Sequence, residues 1–290
     1  MRPRVVAIFG PTASGKTDVA EALADRIGGE LVSADAMQVY RGLPILTNQS
    51  PRAARLVAIW PLSHEATLGE YQQLAHAAID ELLAAGRTPV VVGGTGLYLR
   101  AALADMPLPP PPAPGARERW DAFYGDRGAG AAHAELARVD AAAAAAVHPN
   151  DRRRVVRALE LAEAGASLRP GRDRLWSGET RHPTLVVGLD VPREELVRRI
   201  EARTRRMVER GVVAEVRRAL EEPISYTAGA IHGLRDFAEL PLEEAVATYD
   251  ARVRRYASYQ RKWMRRIPGI RIVDAARPPA EIAEEILTPA

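Results

Sequence analysis

The segment Gly10-Pro11-Thr12-Ala13-Ser14-Gly15-Lys16-Thr17 constrains this chain more than any other. It fits G-x-x-x-x-G-K-[ST] in full, and its setting agrees with the motif. The apolar run Val5–Phe9 before it reads as a strand buried on both faces. Residues 16–27 after it read as a helix, with Val19, Ala20, Leu23, Ala24 and Ile27 at helical spacing. Backbone N–H groups of such a loop turn inward and cradle phosphate oxygens, and the helix N-terminus adds partial positive charge. Lys16 supplies a mobile point charge, and the Thr17 hydroxyl suits Mg²⁺. The motif implies a di- or triphosphate ligand held by residues 10–17 and leaves the reaction open.

Further strands and helices alternate after it. Leu31–Ala34 reads as a second strand, residues 70–85 as a helix, and Pro89–Val92 as a third strand ending at Gly93-Gly94. The fold class expected is α/β, a P-loop NTPase-like parallel sheet core flanked by helices. Asp35 closes the second strand, at the sheet edge where ligands bind in open α/β sheets. Three roles compete for it: metal-binding carboxylate, general base facing the phosphates, or helix N-cap. The first two strands are expected to be neighbours, which favours a place near the phosphate loop. Thr95, after the third strand, either caps the next helix or faces the ligand.

The texture changes at 107–114, which contains six prolines that no helix or central strand can accommodate. Residues 115–165 then read as mostly helical, and Thr184–Asp190 as a return to a core strand. Residues 1–106 and 185–290 are therefore expected to form the core, with 107–184 an inserted helical domain. Helical patterns follow at 193–221, 241–266 and 278–287. The absence of cysteine excludes disulfides, thiolate metal sites and a Cys nucleophile. No run is long enough for a membrane span, and the N-terminus does not read as a signal peptide. A cytoplasmic, non-membrane protein acting as a monomer is the expectation.

Only Lys16 and Lys262 among the 40 basic residues are lysines. Most of the arginines report a GC-rich coding bias, but their distribution is uneven. Residues 1–150 carry 13 basic and 15 acidic side chains, a net of −2, whereas 151–210 carry 15 and 10, a net of +5. A basic centre points to a polyanion. Within it, Arg153 and Arg157, and Arg154 and Arg157, share a helix face, a stripe suited to a phosphate backbone or to a salt-bridged surface.

Several stretches together resemble the tRNA dimethylallyltransferases. They are GPTASGKT at 10–17, SADAMQVYRG at 33–42, GGTGLYLR at 93–100 and HPNDRRRVVRALE at 148–160. Arg203, Met207, Gly211 and Glu215 keep the family's spacing, as do Tyr256, Ala257, Gln260, Trp263 and Arg265. The resemblance covers most of the chain, and the ordered combination is specific. It implies transfer of a dimethylallyl group from dimethylallyl diphosphate to N6 of the adenosine just 3′ of the anticodon. It implies that the loop 12–17 holds the prenyl diphosphate with Mg²⁺ at Thr17, that Asp35 accepts the N6 proton, and that Arg203 neutralises the leaving group. It also implies tRNA contacts, in the anticodon stem-loop, from Asp35, Ala36, Met37, Gln38, Thr95, Arg117, Arg153, Arg154 and Arg157.

The chain departs from the family pattern at Ala36, where serine is usual, and through 43–51, 56–60 and 232–236. A small-molecule P-loop kinase, a prenyltransferase acting on free adenine nucleotides, and a nucleotide-gated RNA-binding protein are the competing functions. The inserted domain and the basic 151–210 stretch favour a macromolecular RNA substrate.

Overall fold

The computed structural model describes residues 3–168 and 177–288. Met1, Arg2 and the arginines at 169, 172 and 174, which entered the sequence reading, lie outside the described residues. The chain divides into two units, Met1–Met106 with Leu175–Ala290, and Pro107–Arg174.

The first unit is built on a parallel sheet of five strands: β1 (Val5–Phe9), β2 (Glu30–Ser33), β3 (Pro89–Gly93), β4 (Thr184–Asp190) and β5 (Arg271–Asp274), in the order β2-β3-β1-β4-β5. Every residue of β1 is buried, because it lies at the centre with layers on both faces. Burying the side chains of Val5, Val6, Ile8 and Phe9 contributes about 1.5–3 kcal/mol each before entropy is counted. The register pairs Phe9 with Gly93 on one side and Gly188 on the other, so β1 and β3 stop level and β4 runs two residues further. Helix α1 (Lys16–Ile27) follows the loop after β1, α2 (Leu68–Ala84) precedes β3, and α3 (Gly96–Leu103) follows it.

The strand order corrects one expectation. β1 and β2 are not neighbours; β3 lies between them. Asp35 still reaches the phosphate side, because β2 pairs in register with β3 (Ser33 opposite Val92) and Ala34 N–H continues the ladder to Val92 O at 2.8 Å. β5 has no counterpart in the sequence reading. It is a four-residue edge strand with only Val273 buried, too short and too polar for the pattern to announce it.

The second half of this unit is helical. Helices α7 (Arg193–Glu209) and α8 (Val212–Ala219) replace the single run expected over 193–221. Gly211 at φ 89° breaks the run in a conformation that only glycine takes readily. Then come α9 (Asp236–Glu239), the long α10 (Leu242–Met264) and α11 (Pro279–Leu287). α10 packs on α7 and touches α3, and α11 packs on α1. Among the described residues no helix is long and apolar enough to cross a membrane.

The return to the core begins before 184. Arg181 N–H donates to Leu103 O at 2.8 Å, and the Arg181 guanidinium pairs with Asp80 and Asp105 at 2.9 and 3.2 Å. These contacts hold residue 181 against α2 and the segment that follows α3, so the described chain is packed on the first unit ahead of β4.

The second unit contains α4 (Ala116–Val139), α5 (Ala141–Ala146) and α6 (Arg152–Glu163). Its own core joins Leu136, Ala132, Val147, Val155, Ala158 and Leu159. Asp140 and Asp151 cap α5 and α6 by accepting from Ala143 and Arg154 N–H at 2.9 and 3.2 Å. Glu160 is buried in this unit, at 1% exposure, and takes Arg117 on one oxygen at 3.0 Å and Arg157 on the other at 2.9 Å. Arg157 also donates to Pro110 O at 2.6 Å.

Candidate active site

The sequence folds a phosphate loop at the carboxyl end of β1. Ala13 and Gly15 both have positive φ, 63° and 84°, which turns successive backbone N–H groups toward one point. Ser14 N–H closes the turn on Pro11 O at 3.1 Å, and the Lys16 ammonium reaches back to Pro11 O at 3.4 Å. Arg203 comes from the middle of α7 and donates to Thr12 Oγ1 at 2.9 Å. Ser14 Oγ and Arg203 Nε are buried with no protein partner. Buried polar groups are normally paired, so two orphans at one loop suit a polyoxyanion that accepts from both.

The Lys16 ammonium is pulled down from its usual range to about 8. Burial causes the drop, the Asp35 carboxylate opposes it, and the neighbouring Arg203 charge adds to it. Asp35 is therefore close enough to be felt by Lys16. It is also felt by Tyr71, Tyr98 and Tyr256, whose hydroxyls burial pushes well up, with the Asp35 charge adding. All three tyrosines stay neutral. The Asp35 carboxylate accepts from Met37 N–H at 2.9 Å, the bond that opens the turn after β2. No regular helix follows, so helix N-capping is not its role.

Lys16, Thr17, Asp35, Met37, Gln38 and Arg203 line one cleft, of about 80 Å³. The phosphate loop and its cations stand at one end and a carboxylate among tyrosines at the other. A second cavity, of about 500 Å³, opens between the loop, α7 and the start of α11, and adds Arg199, Arg206 and Arg277. Lys16, Thr17, Asn48 and Arg203 line both, so two ligands can reach the loop from different sides.

Thr95 precedes α3 but makes no capping bond with its side chain. Its hydroxyl instead accepts from Ala36 N–H at 3.2 Å and meets Tyr256 Oη at 3.4 Å. Gln38 has both ends of its amide engaged inside the protein. It accepts from Ser33 Oγ and donates to Thr47 O and Asn48 O, tying down the loop that forms one cleft wall. Arg153 and Arg154 are exposed with no acidic partner among the described residues. Arg117, on α4, and Arg157 are held by Glu160 instead, so of the stripe expected on α6 Arg157 holds the fold while Arg153 and Arg154 face outward.

Two residues that the sequence reading gave no role prove central. Gln260, on α10 and 2% exposed, accepts from Thr12 N–H at 2.7 Å and donates to Gly94 O at 2.8 Å. It ties the phosphate loop to the turn after β3, and a Cβ at Gly94 would meet its Nε2 at 2.3 Å. The available signal was a glutamine at an otherwise apolar position of the inward face of α10, which carries Val253, Ala257 and Met264. Glu215 on α8 accepts from Ile45 and Leu46 N–H, both at 2.7 Å, and so anchors the 43–50 wall from 170 residues away. Nothing local in the sequence announces that contact.

A metal fits the donor set present. The Thr17 hydroxyl makes no protein hydrogen bond among the described residues, and no cluster of acidic or histidine side chains there makes a protein cage. That combination suits Mg²⁺, which keeps several waters and binds through substrate phosphates with one or two protein oxygens.

Comparison with known proteins places the chain in a family. The pattern described as IPP transferase matches residues 38–267, and the pattern described as isopentenyl transferase matches 3–57. The chain belongs to the IPP transferase family. It is 42% identical over 282 residues to a tRNA dimethylallyltransferase of Streptomyces coelicolor, covering 92% of this chain and 89% of that one. It is 40% identical to one from Anaeromyxobacter dehalogenans, covering 98% and 99%. Among solved structures it is similar to the tRNA isopentenylpyrophosphate transferase of Bacillus halodurans, with TM-score 0.69, 33% identity and coverage of 98% and 95%. A eukaryotic dimethylallyltransferase acting on tRNA aligns at TM-score 0.68 and 25% identity, covering 93% of this chain and 73% of that one. The resemblance read from the motifs is thus borne out.

Proposed function

We propose that this IPP transferase moves a dimethylallyl group from dimethylallyl diphosphate to N6 of an adenosine in tRNA, the one just 3′ of the anticodon. One observation carries the reading: a single cleft has a phosphate loop with Lys16 and Arg203 at one end and Asp35 at the other. Displacement at an allylic carbon needs both ends. The nitrogen lone pair forms the new C–N bond as the C–O bond to the diphosphate breaks, and negative charge builds on the departing oxygens. The loop N–H groups, Lys16 and Arg203 stabilise that charge where it develops. An exocyclic adenine amine is a poor nucleophile, because its lone pair is delocalised into the ring. Asp35 takes the N6 proton as the bond forms, an assistance typically of ~10²–10⁴-fold.

Thr17 would hold Mg²⁺ beside the diphosphate, where the ion would add positive charge to the leaving group. Thr95, Ala36 and Tyr256 form the wall on which the base is oriented. The target base leaves its stack to enter, which is less costly for a loop nucleotide than for a paired one. Exposed Arg153 and Arg154 on α6 contact the tRNA backbone.

The test is to incubate the protein with Mg²⁺, dimethylallyl diphosphate and unmodified tRNA, then analyse nucleosides by mass spectrometry. The expected product is N6-dimethylallyladenosine at one position per tRNA. Phosphate transfer from ATP with no prenylated nucleoside overturns the proposal.

A further inference from the structure

We propose that the exposed face of α10 carrying Arg255, Tyr259 and Lys262 is a second tRNA contact surface, with Tyr259 as a stacking platform beside the cleft. The inference rests on the function just proposed and concerns how its substrate is gripped.

The basic residues of α10 and its end fall into two classes. Arg252, Arg254 and Arg261 are tied to Asp236, Glu201 and Asp190 at 2.9, 3.1 and 2.9 Å, so they hold α10 to its neighbours. Arg255, Lys262 and Arg265 are exposed, and among the described residues no carboxylate lies within ion-pair distance of them. Residues 255, 259 and 262 recur at i, i+4 and i+7, which places them in one row on the helix surface. Tyr259 stands in that row at 55% exposure, among the most exposed large apolar side chains described. An isolated exposed tyrosine is ordinary. One set between two unpaired cations is the pattern by which single-stranded nucleic acid is held, with cations on phosphates and a ring under a base.

The position of the row decides between partners. Tyr256, one helical turn from Tyr259, has its hydroxyl on Thr95 inside the cleft. Trp263, one turn further on, lies against Gly96, the first residue of α3. The row therefore runs along the rim of the cleft that takes the adenosine. A strand feeding its base to Asp35 passes its neighbouring nucleotides over this rim, where charge and an open aromatic face await them. Lys262 thereby gains a role that the sequence alone did not supply.

The experiment compares wild type, Tyr259→Ala, Tyr259→Phe and the double variant Arg255→Ala/Lys262→Ala. Equilibrium binding of unmodified tRNA is measured across a salt series, alongside KM for dimethylallyl diphosphate and the thermal midpoint. Tyr259→Ala is expected to weaken tRNA binding by about tenfold while Tyr259→Phe keeps it, since stacking needs the ring and not the hydroxyl. The double variant is expected to flatten the dependence of log K on log salt by roughly 1.5, from two lost phosphate contacts. Donor KM and the thermal midpoint stay at wild-type values, because these side chains are exposed and away from the phosphate loop. Unchanged tRNA affinity and salt slope in both variants overturn the inference, and so does an equal loss with Tyr259→Phe and Tyr259→Ala. Binding is read without turnover, so wild-type prenylation in a parallel assay judges the proposed function separately.

Discussion

Replacing Gln260 by methionine tests whether the phosphate loop is held from α10. The two side chains have similar volume, so no cavity is created, but both amide bonds go. Thr12 N–H then loses its acceptor at 2.7 Å and Gly94 O its donor at 2.8 Å. A buried polar group left unpaired costs about 1–3 kcal/mol, so losing both bonds should lower stability by roughly 2–4 kcal/mol. The close packing at Gly94 leaves no room for water to take the place of the amide. At about 2–4 °C per kcal/mol for chains near this size, the melting midpoint should fall by roughly 5–15 °C. Function should suffer as well. Thr12 carries the hydrogen bond from Arg203, so a loosened loop misplaces the cation that receives the leaving group. KM for the prenyl diphosphate should rise by about tenfold, from ~1–1.5 kcal/mol of lost preorganisation. Urea denaturation and steady-state kinetics on purified Gln260→Met read both effects. Stability within about 0.5 kcal/mol of wild type, with unchanged donor KM, refutes the reasoning.

Two further predictions separate cations that hold the fold from those that serve the site. Arg157→Ala should destabilise the inserted unit by about 1–3 kcal/mol, because buried Glu160 keeps only Arg117, whereas exposed Arg154→Ala should leave stability within about 0.5 kcal/mol and weaken tRNA binding; urea denaturation and a tRNA titration check the pair. Lys16 loses its proton in the free protein as pH rises through about 8, so kcat/KM for the donor should fall above that pH. Diphosphate binding favours the charged ammonium, so kcat should stay flat over the same range. For stability the sign is opposite. The unfolded chain holds the Lys16 proton up to about 10.5, so the burial penalty on its charge is relieved as pH rises from about 8 to 10.5.

What could be read from the residues alone was local. The phosphate loop, the flanking strand and helix, and the inserted helical segment all follow from patterns within a few residues of one another. Strand order was not local, and the expected pairing of β1 with β2 failed because a crossover through α2 places β3 between them. β5 escaped because Arg271-Ile272-Val273-Asp274 buries a single residue. The cleft wall at 43–50 has no regular structure to predict, and its position is set by Glu215 from far along the chain. Lys16, Thr17 and Asp35 were legible as chemistry and Arg203 through the family resemblance, and the fold brings them to one cleft. Gln260 and Tyr256 were visible only as members of a spacing. The position of Gln260 on the apolar face of α10 marks it as buried, but nothing in the sequence names the two loops that its amide bridges.

The account depends most on Asp35 acting as the base opposite the phosphate loop, and the single-turnover rate of Asp35→Asn with saturating donor and tRNA tests that directly. The asparagine keeps the shape and the turn bond to Met37 N–H while removing the charge. The account predicts a rate lower by ~10²–10⁴-fold with tRNA affinity essentially unchanged. A wild-type rate of prenyl transfer by Asp35→Asn would contradict it.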